Sequence, residues 1–292
     1  MSATVTLIIL VAGLLVWIQW VEPNWFRLRR KTVRVKKPIA EPIDILHLSD
    51  FHFTQPRPFM DRFFDRLAEK EYDFVFVTGD LIDHEKGIAP CIASLQKLKA
   101  KKGVYVVLGN HDYYTYLPLD NVLHKITGRP IGRRHRTESY HLKEALRQAG
   151  FHVLVNEHRC VPLAQSQEAV VIGMDDPVTG RANADQAFHG IENGTLHIAL
   201  VHSPHYFARL KNRDVDIAFA GHTHGGQVRI PGVGPLPLIR LLEAIIDSTD
   251  KFGFPGVVSH GMGAQPDFRF RLFCPPEAIL VTLQGTKLEA KG

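Results

Sequence analysis

From Ile43 onward the chain alternates short runs rich in Val, Ile and Phe with longer amphipathic stretches. The apolar runs predict strands at Ile43–Leu48, Phe74–Thr78, Val104–Leu108, Val153–Val155, Val170–Ile172, Leu196–Val201, Ile217–Ala220, Val257–Ser259 and Ala278–Leu283. The stretches between predict helices over Pro58–Lys70, Ile88–Lys99, Tyr140–Ala149 and Pro204–Leu210. In the first of these, Met60, Phe63, Phe64 and Leu67 recur at helical spacing and mark one buried face. Strands alternate with helices early and follow one another more closely later, the pattern of a layered α/β domain. No internal repeat interrupts it.

The N-terminal segment follows a different rule. Ala3–Val21 is apolar except for Thr4, Thr6 and Gln19. As a helix it is ~28 Å long, about one hydrocarbon core. Trp17, Trp20 and Trp25 gather at its C-terminal end, as aromatic anchors do at an interface. No basic residue precedes it and no small-x-small cleavage site follows, so an uncleaved anchor fits better than a cleaved signal.

Charge sharpens this division. Residues 22–37 hold seven basic side chains and one acid, a net +6 in a chain of net +5, which leaves −1 for residues 38–292. The basic character is thus a collar after the apolar span and not a footprint for nucleic acid. All of it lies C-terminal to the span, which places the remaining chain in the cytoplasm by the positive-inside bias. The expected organisation is a transmembrane anchor (1–21), a basic juxtamembrane linker (22–42), a catalytic domain (43–285) and a short tail (286–292). A single-pass protein of the inner membrane, facing the inner leaflet, follows from it. Cys91, Cys160 and Cys274 form neither a disulfide framework nor a zinc-finger spacing, and read as three buried small residues.

The chemistry-bearing residues cluster at strand ends. Leu48-Ser49-Asp50-Phe51-His52 closes one strand, Thr78-Gly79-Asp80 the next, and Leu108-Gly109-Asn110-His111-Asp112 the third. Val201-His202 closes another, and Ala220-Gly221-His222-Thr223-His224-Gly225-Gly226-Gln227 the last. In an α/β sheet the carboxyl ends of the strands line one crevice, where ligands bind. Carboxylates, imidazoles and an amide delivered together suit Mn, Fe, Zn or Mg and not a thiolate metal. Seven such donors exceed one ion's needs and suit two ions ~3.5–4 Å apart.

These motifs, in this order, resemble the calcineurin-like metallophosphoesterase superfamily over roughly Ile43 to Leu283. The further runs Gly173-Met174-Asp175-Asp176-Pro177, Gly261-Met262-Gly263 and Cys274-Pro275-Pro276-Glu277 resemble its bacterial membrane-associated branch. The resemblance implies a two-sheet αββα sandwich behind the N-terminal helix. It implies that Asp50, His52 and His224 bind one divalent cation, that Asn110, His202 and His222 bind a second, and that Asp80 bridges them. Manganese is the first expectation for both. It also implies that His111 is not a ligand but a catalytic residue near the scissile phosphate, where it protonates the leaving oxygen or stabilises charge.

The substrate is less legible. Tyr114–Ser139 lacks strand periodicity, and its Arg129, Arg133, Arg134 and Arg136 are candidate substrate-phosphate contacts. The run from Pro231 through Leu236 to Ile246 reads as an ordinary core helix or as an apolar lip beside the site. Anchor, basic loop and lip together suit a phosphate ester or lipid-linked diphosphate. One activity of the resembled branch is hydrolysis of UDP-2,3-diacylglucosamine to UMP and a lipid X-type monophosphate, a step of lipid A synthesis. A broad or cyclic-nucleotide phosphodiesterase is the alternative enzyme. A membrane-tethered scaffold without catalysis is the alternative class. Asn193-Gly194-Thr195 is formally a glycosylation sequon that a cytoplasmic domain would not use.

Overall fold

Each predicted strand forms, and the strands pair into two sheets. The computed structural model describes residues 2–116, 133–135, 138–192, 196–236, 252–264 and 270–286. Within them the principal strands are β1 (Arg27–Pro38), β2 (Ile43–Leu48), β3 (Phe74–Thr78), β4 (Val104–Val107), β5 (His152–Val153), β6 (Glu157–Pro162), β7 (Glu168–Gly173), β8 (Leu196–Leu200), β9 (Ile217–Ala220), β10 (Gly256–Val258) and β11 (Glu277–Thr286). Among the described residues the first sheet has the order β1-β11-β2-β3-β4-β5 and the second β6-β7-β8-β9-β10. β2 through β5 run parallel, as do β7 through β10, so their carboxyl ends open on one edge.

The packing follows from side-chain alternation. On the inner faces, Ile45, Phe74, Phe76 and Val107 of the first sheet meet Val171, Ile198, Ile217 and Phe219 of the second. Among the described residues, the outer face of the first sheet carries α2 (Pro58–Leu67), α3 (Ile88–Gln96) and α4 (Glu138–Gln148). The predicted stripe Met60, Phe63, Phe64 and Leu67 is buried there. Pro58 opens α2, where a missing N–H costs nothing. Phe207 and Leu210, from the short helix Phe207–Leu210, cover the second sheet with Phe252 and Phe254. Helices, sheet, sheet and helices thus form the expected four-layer sandwich.

The N-terminal helix begins as α1 (Ala3–Val16) and continues through a wider turn (Trp17–Val21) and a tight one (Glu22–Asn24). Ala3–Asn24 is long and apolar enough to cross a membrane, and α1 buries no residue against the body.

The basic collar departs from expectation. Residues 22–42 were expected to form a linker apart from the folded domain, yet Arg27–Pro38 is a full edge strand, parallel to β11 from Arg27↔Glu277 through Pro38↔Thr286. Val33 and Val35 enter the inter-sheet core, while the charged neighbours Arg34 and Lys36 face outward. Lysine and arginine on an exposed edge are what keep such a strand from pairing with other chains. Arg29 binds Glu277 at 2.7 Å, and Lys37 bridges Asp214 and Asp216 at 3.0 and 3.1 Å. Val35→Ala is expected to cost about 2 kcal/mol through lost burial and the void left behind, while Arg34→Ala changes stability by less than about 0.5 kcal/mol. Urea unfolding of the two variants checks this; equal midpoints would return the segment to a linker.

Of the cysteines, Cys91 and Cys274 are buried as expected, but Cys160 is exposed on β6. β6 is an outer strand of its sheet, and its alternate side chains face solvent.

Candidate metal centre

Two loops from the first sheet and two from the second meet at the open edge, with a helical turn from a fifth strand. Asp50, Asp80, Asn110, His202 and His222 lie two or three residues beyond the ends of β2, β3, β4, β8 and β9. His52 and His224 follow two residues further along their loops. All seven predicted ligands except His222 are buried, and His222 is half-buried.

The backbone is bent to aim them inward. Asp50, His52, Asp80, His222 and His224 have φ of 55°, 51°, 54°, 69° and 48°, a left-handed region that non-glycine residues rarely adopt. Strain of this kind collects at functional sites because the surrounding fold over-determines it. Neighbouring glycines leave the side chains room. A Cβ on Gly221 would collide with Ser49 Oγ and Asp50 Oδ2, and one on Gly109 with Asp80 Oδ1. Gly221→Ala is therefore expected to displace Asp50 and lower the content of tightly held metal from about two ions per chain toward one; metal analysis after dialysis checks it, and full retention would show that the contact yields.

The donor atoms converge in clusters that share members. Asp50, His52 and His224 bring ligand atoms within 4.8 Å of one another, as do Asp80, His202 and His222, and the group His52, Asp80 and His111 links the two. Asp80 Oδ2 stands 3.2 Å from His202 Nε2 and 3.8 Å from His52 Nε2, which places it between the two groups. Imidazole nitrogens face one another directly: His52 Nε2 and His224 Nε2 at 3.2 Å, His202 Nε2 and His222 Nδ1 at 3.1 Å. His202 Nδ1 donates to the Thr78 carbonyl at 2.7 Å, so a neutral His202 turns the lone pair of Nε2 toward a carboxylate. Such a pairing calls for a proton or a cation between the two. Asn110 Oδ1 and His224 Nδ1 are buried without a hydrogen-bond partner among the described residues. Asn110 Nδ2 donates to Tyr116 Oη at 2.9 Å, which fixes the amide and leaves its oxygen free to coordinate.

The protonation pattern describes the same demand for positive charge. Burial opposes a charged His52, but Asp83, Asp80 and Asp50 lift it to about 9. Burial likewise opposes a charged His202, but Asp80, Asp50 and Asp176 lift it to about 10. His222 falls to about 3 and His224 drops well below the ordinary imidazole value, through burial and then through the positive rings beside them. Burial raises Asp50, while the histidines hold Asp80 well below the carboxylate range despite its burial. An acid-rich pocket that protonates two of its imidazoles and keeps two neutral is one in which divalent cations can replace those protons. The residues fit the metals that the sequence suggests.

His111 lies outside the two triads of predicted ligands yet beside them. Its backbone N–H donates to Asp80 Oδ1 at 2.8 Å, and its Nδ1 meets Asp83 Oδ1 at 2.8 Å. The same Asp83 oxygen meets His52 Nδ1 at 3.1 Å. Against the cost of burial, His52 and His111 hold Asp83 far below the usual carboxylate range. One carboxylate therefore orients both rings and leaves Nε2 of each pointing into the site.

Sequence reasoning assigned no part to Asp83, although it stands three residues after Asp80. It quoted Asp112 within Gly-Asn-His-Asp without a role. Asp112 accepts from the N–H groups of Leu81, Ile82 and Gly109 and so ties the Asp80 loop to the His111 turn. The candidate phosphate contacts fare differently. Arg133 and Arg134 lie in a short strand, Arg133–His135, paired antiparallel with Tyr114–Tyr116. That strand contradicts the expectation that no strand forms within Tyr114–Ser139. Arg129 and Arg136 lie outside the described residues, as do Asn193-Gly194-Thr195 and most of the run from Pro231 to Ile246.

The chain is similar to several known proteins over most of its length. It is 29% identical to an uncharacterised metallophosphoesterase, YkoQ, of Bacillus subtilis, over 82% of this chain and 83% of that one. It is 26% identical to the UDP-2,3-diacylglucosamine pyrophosphatase LpxG of Chlamydia muridarum, over 96% and 97% of the two chains. It is 28% identical to the phosphodiesterase YaeI of Escherichia coli, over 91% and 92%. Residues 43–226, which carry all seven predicted ligands, match the model of the calcineurin-like phosphoesterases. The converging donors and this match agree: the chain is a phosphoester hydrolase of the calcineurin-like phosphoesterase family.

Proposed function

We propose that the protein hydrolyses a phosphate ester or diphosphate carried on a lipid, at the cytoplasmic face of the inner membrane, with UDP-2,3-diacylglucosamine as the leading substrate. The observation that carries the reaction is the placement of Asp80 between two sets of facing imidazole nitrogens. In this reading Asp50, His52 and His224 hold one divalent cation, Asn110, His202 and His222 the other, and Asp80 both. Manganese is the first choice of metal. Bound there, the pair would supply Lewis acidity toward phosphate oxygens and an acidified water as nucleophile.

The chain's own residues do the rest. Asp83 fixes the His111 ring through Nδ1, so that Nε2 is the nitrogen presented to substrate. Held there, His111 is placed to give a proton to the departing oxygen. Thr78 and Asp83 hold His202 and His52 in the tautomer that presents Nε2 to metal.

The lipid-linked substrate is supported by the apolar Ala3–Asn24 helix and by the LpxG likeness across nearly the whole chain. The YaeI likeness favours a second reading, a phosphodiesterase without a lipid requirement. The full-length protein, loaded with Mn, is assayed on UDP-2,3-diacylglucosamine and on bis(p-nitrophenyl) phosphate. A kcat/KM at least ~100-fold higher on the lipid-linked diphosphate supports the first reading; comparable values support the second. Absence of metal-dependent hydrolysis of either would leave only a tethered scaffold. A truncated control has to retain Arg27–Pro38, because that segment is a strand of the first sheet.

A further inference from the structure

The apolar helix does more than hold the domain at a membrane. A cavity of about 580 Å³ has His52 and Asp83 on one wall and the end of that helix, through Trp20 and Asn24, on another. Its volume falls within the ordinary range for a small-molecule site. Arg57, from the loop after His52, brings a guanidinium to the lining, and Phe270 brings an apolar ring.

The helix end is fixed to the body beside the metal loops. The Arg271 N–H donates to the Ile18 carbonyl at 2.9 Å. Glu22, buried at the end of the span, accepts from the Cys274 N–H at 2.6 Å and from Trp17 Nε1 at 2.9 Å. Cys274 in turn contacts the His224 carbonyl through Sγ at 3.4 Å. The last turns of the helix and the His224 loop therefore share one support. Trp20 itself is 71% exposed, at the end of the apolar run.

We propose that this cavity is the substrate site and that the last turns of the apolar helix form one of its walls. The ligand it fits is an amphiphilic phosphoester. Its phosphate meets Arg57 and the metal ligands, and its apolar tail passes Trp20 and Phe270 and runs along the helix into the bilayer. The aromatic rings suit that boundary, being apolar in body with a polar edge. This rests on the hydrolase reading and names the site where it selects its substrate.

The test uses the full-length protein in dodecyl maltoside micelles with two substrates that differ only in their tail, dodecyl p-nitrophenyl phosphate and methyl p-nitrophenyl phosphate. With Mn bound, Trp20→Ala is expected to lower the dodecyl-to-methyl ratio of kcat/KM at least ~10-fold, since the lost contact is apolar. Trp20→Phe restores most of the ratio. Arg57→Gln raises KM for both substrates and leaves their ratio near the wild-type value. A second readout needs no turnover. In metal-free protein, a dodecyl phosphate brominated at its tail quenches the Trp20 emission, taken as wild type minus Trp20→Phe. It does so more strongly than dodecyl maltoside brominated at the same position and present at equal mole fraction. An unchanged ratio in Trp20→Ala, or equal quenching by the two probes, overturns the proposal. Selective quenching in a protein that hydrolyses neither ester supports the cavity and overturns the hydrolase reading instead.

Discussion

Asp80→Asn is expected to reduce metal-dependent phosphoester hydrolysis by at least ~10³-fold, the equivalent of several kcal/mol of transition-state stabilisation. Tightly held metal should fall from about two ions per chain to one or fewer. The reason is position. Asp80 Oδ2 lies between His202 and His52, and Asp80 Oδ1 accepts the His111 N–H. An amide keeps the shape and one oxygen but loses the charge that, in the proposed arrangement, two cations would share, and its NH₂ would repel them. Metal analysis of the dialysed variant beside a turnover assay checks both parts. Two retained ions with normal turnover would remove Asp80 from the centre and with it the dinuclear reading.

His111→Ala separates catalysis from metal binding. Turnover is expected to fall ~10²–10⁴-fold, the usual worth of general acid catalysis, while about two ions remain bound. The variant keeps the backbone N–H that donates to Asp80 Oδ1, so the loop is still held. Loss of the ring leaves Asp83 Oδ1 to His52 alone. A substrate with a leaving group that needs no proton, such as p-nitrophenol, should lose far less activity than an alkyl ester. Equal losses on the two leaving groups, or loss of metal, would assign His111 a structural part.

The strand ends were readable because each motif announces itself locally. An apolar run followed within three residues by Asp, Asn or His places that residue at a sheet edge whatever the sheet order. The structure brings Asp50, Asp80, Asn110, His202 and His222 to that edge two or three residues past their strands. The apolar stripe of α2 and the inner-face alternation of β2 and β3 were legible for the same reason, since burial follows periods of 3.6 and 2.

What stayed hidden depended on partners distant in the chain. β1 reads as a charged collar because an edge strand can face solvent along most of its length; only Val33 and Val35 betray it, and their burial requires β11, whose Leu283 pairs with Val33 from far along the chain. Asp83 has no motif of its own, and its importance arises when His52 and His111 approach one oxygen from different loops. The wall that Trp20 gives to the cavity depends on Glu22 and Ile18 meeting Cys274 and Arg271 across the whole length of the chain.

The sequence by itself determined the layered α/β class, the apolar helix, and which side chains stand at the strand ends, because these follow from short-range periodicity and from residue chemistry. Only the tertiary structure decided that the basic segment is a strand, that one carboxylate serves two imidazoles, and that the helix end borders the site. Those facts are contacts between segments far apart in the chain, and no local pattern records which distant segment a residue will meet.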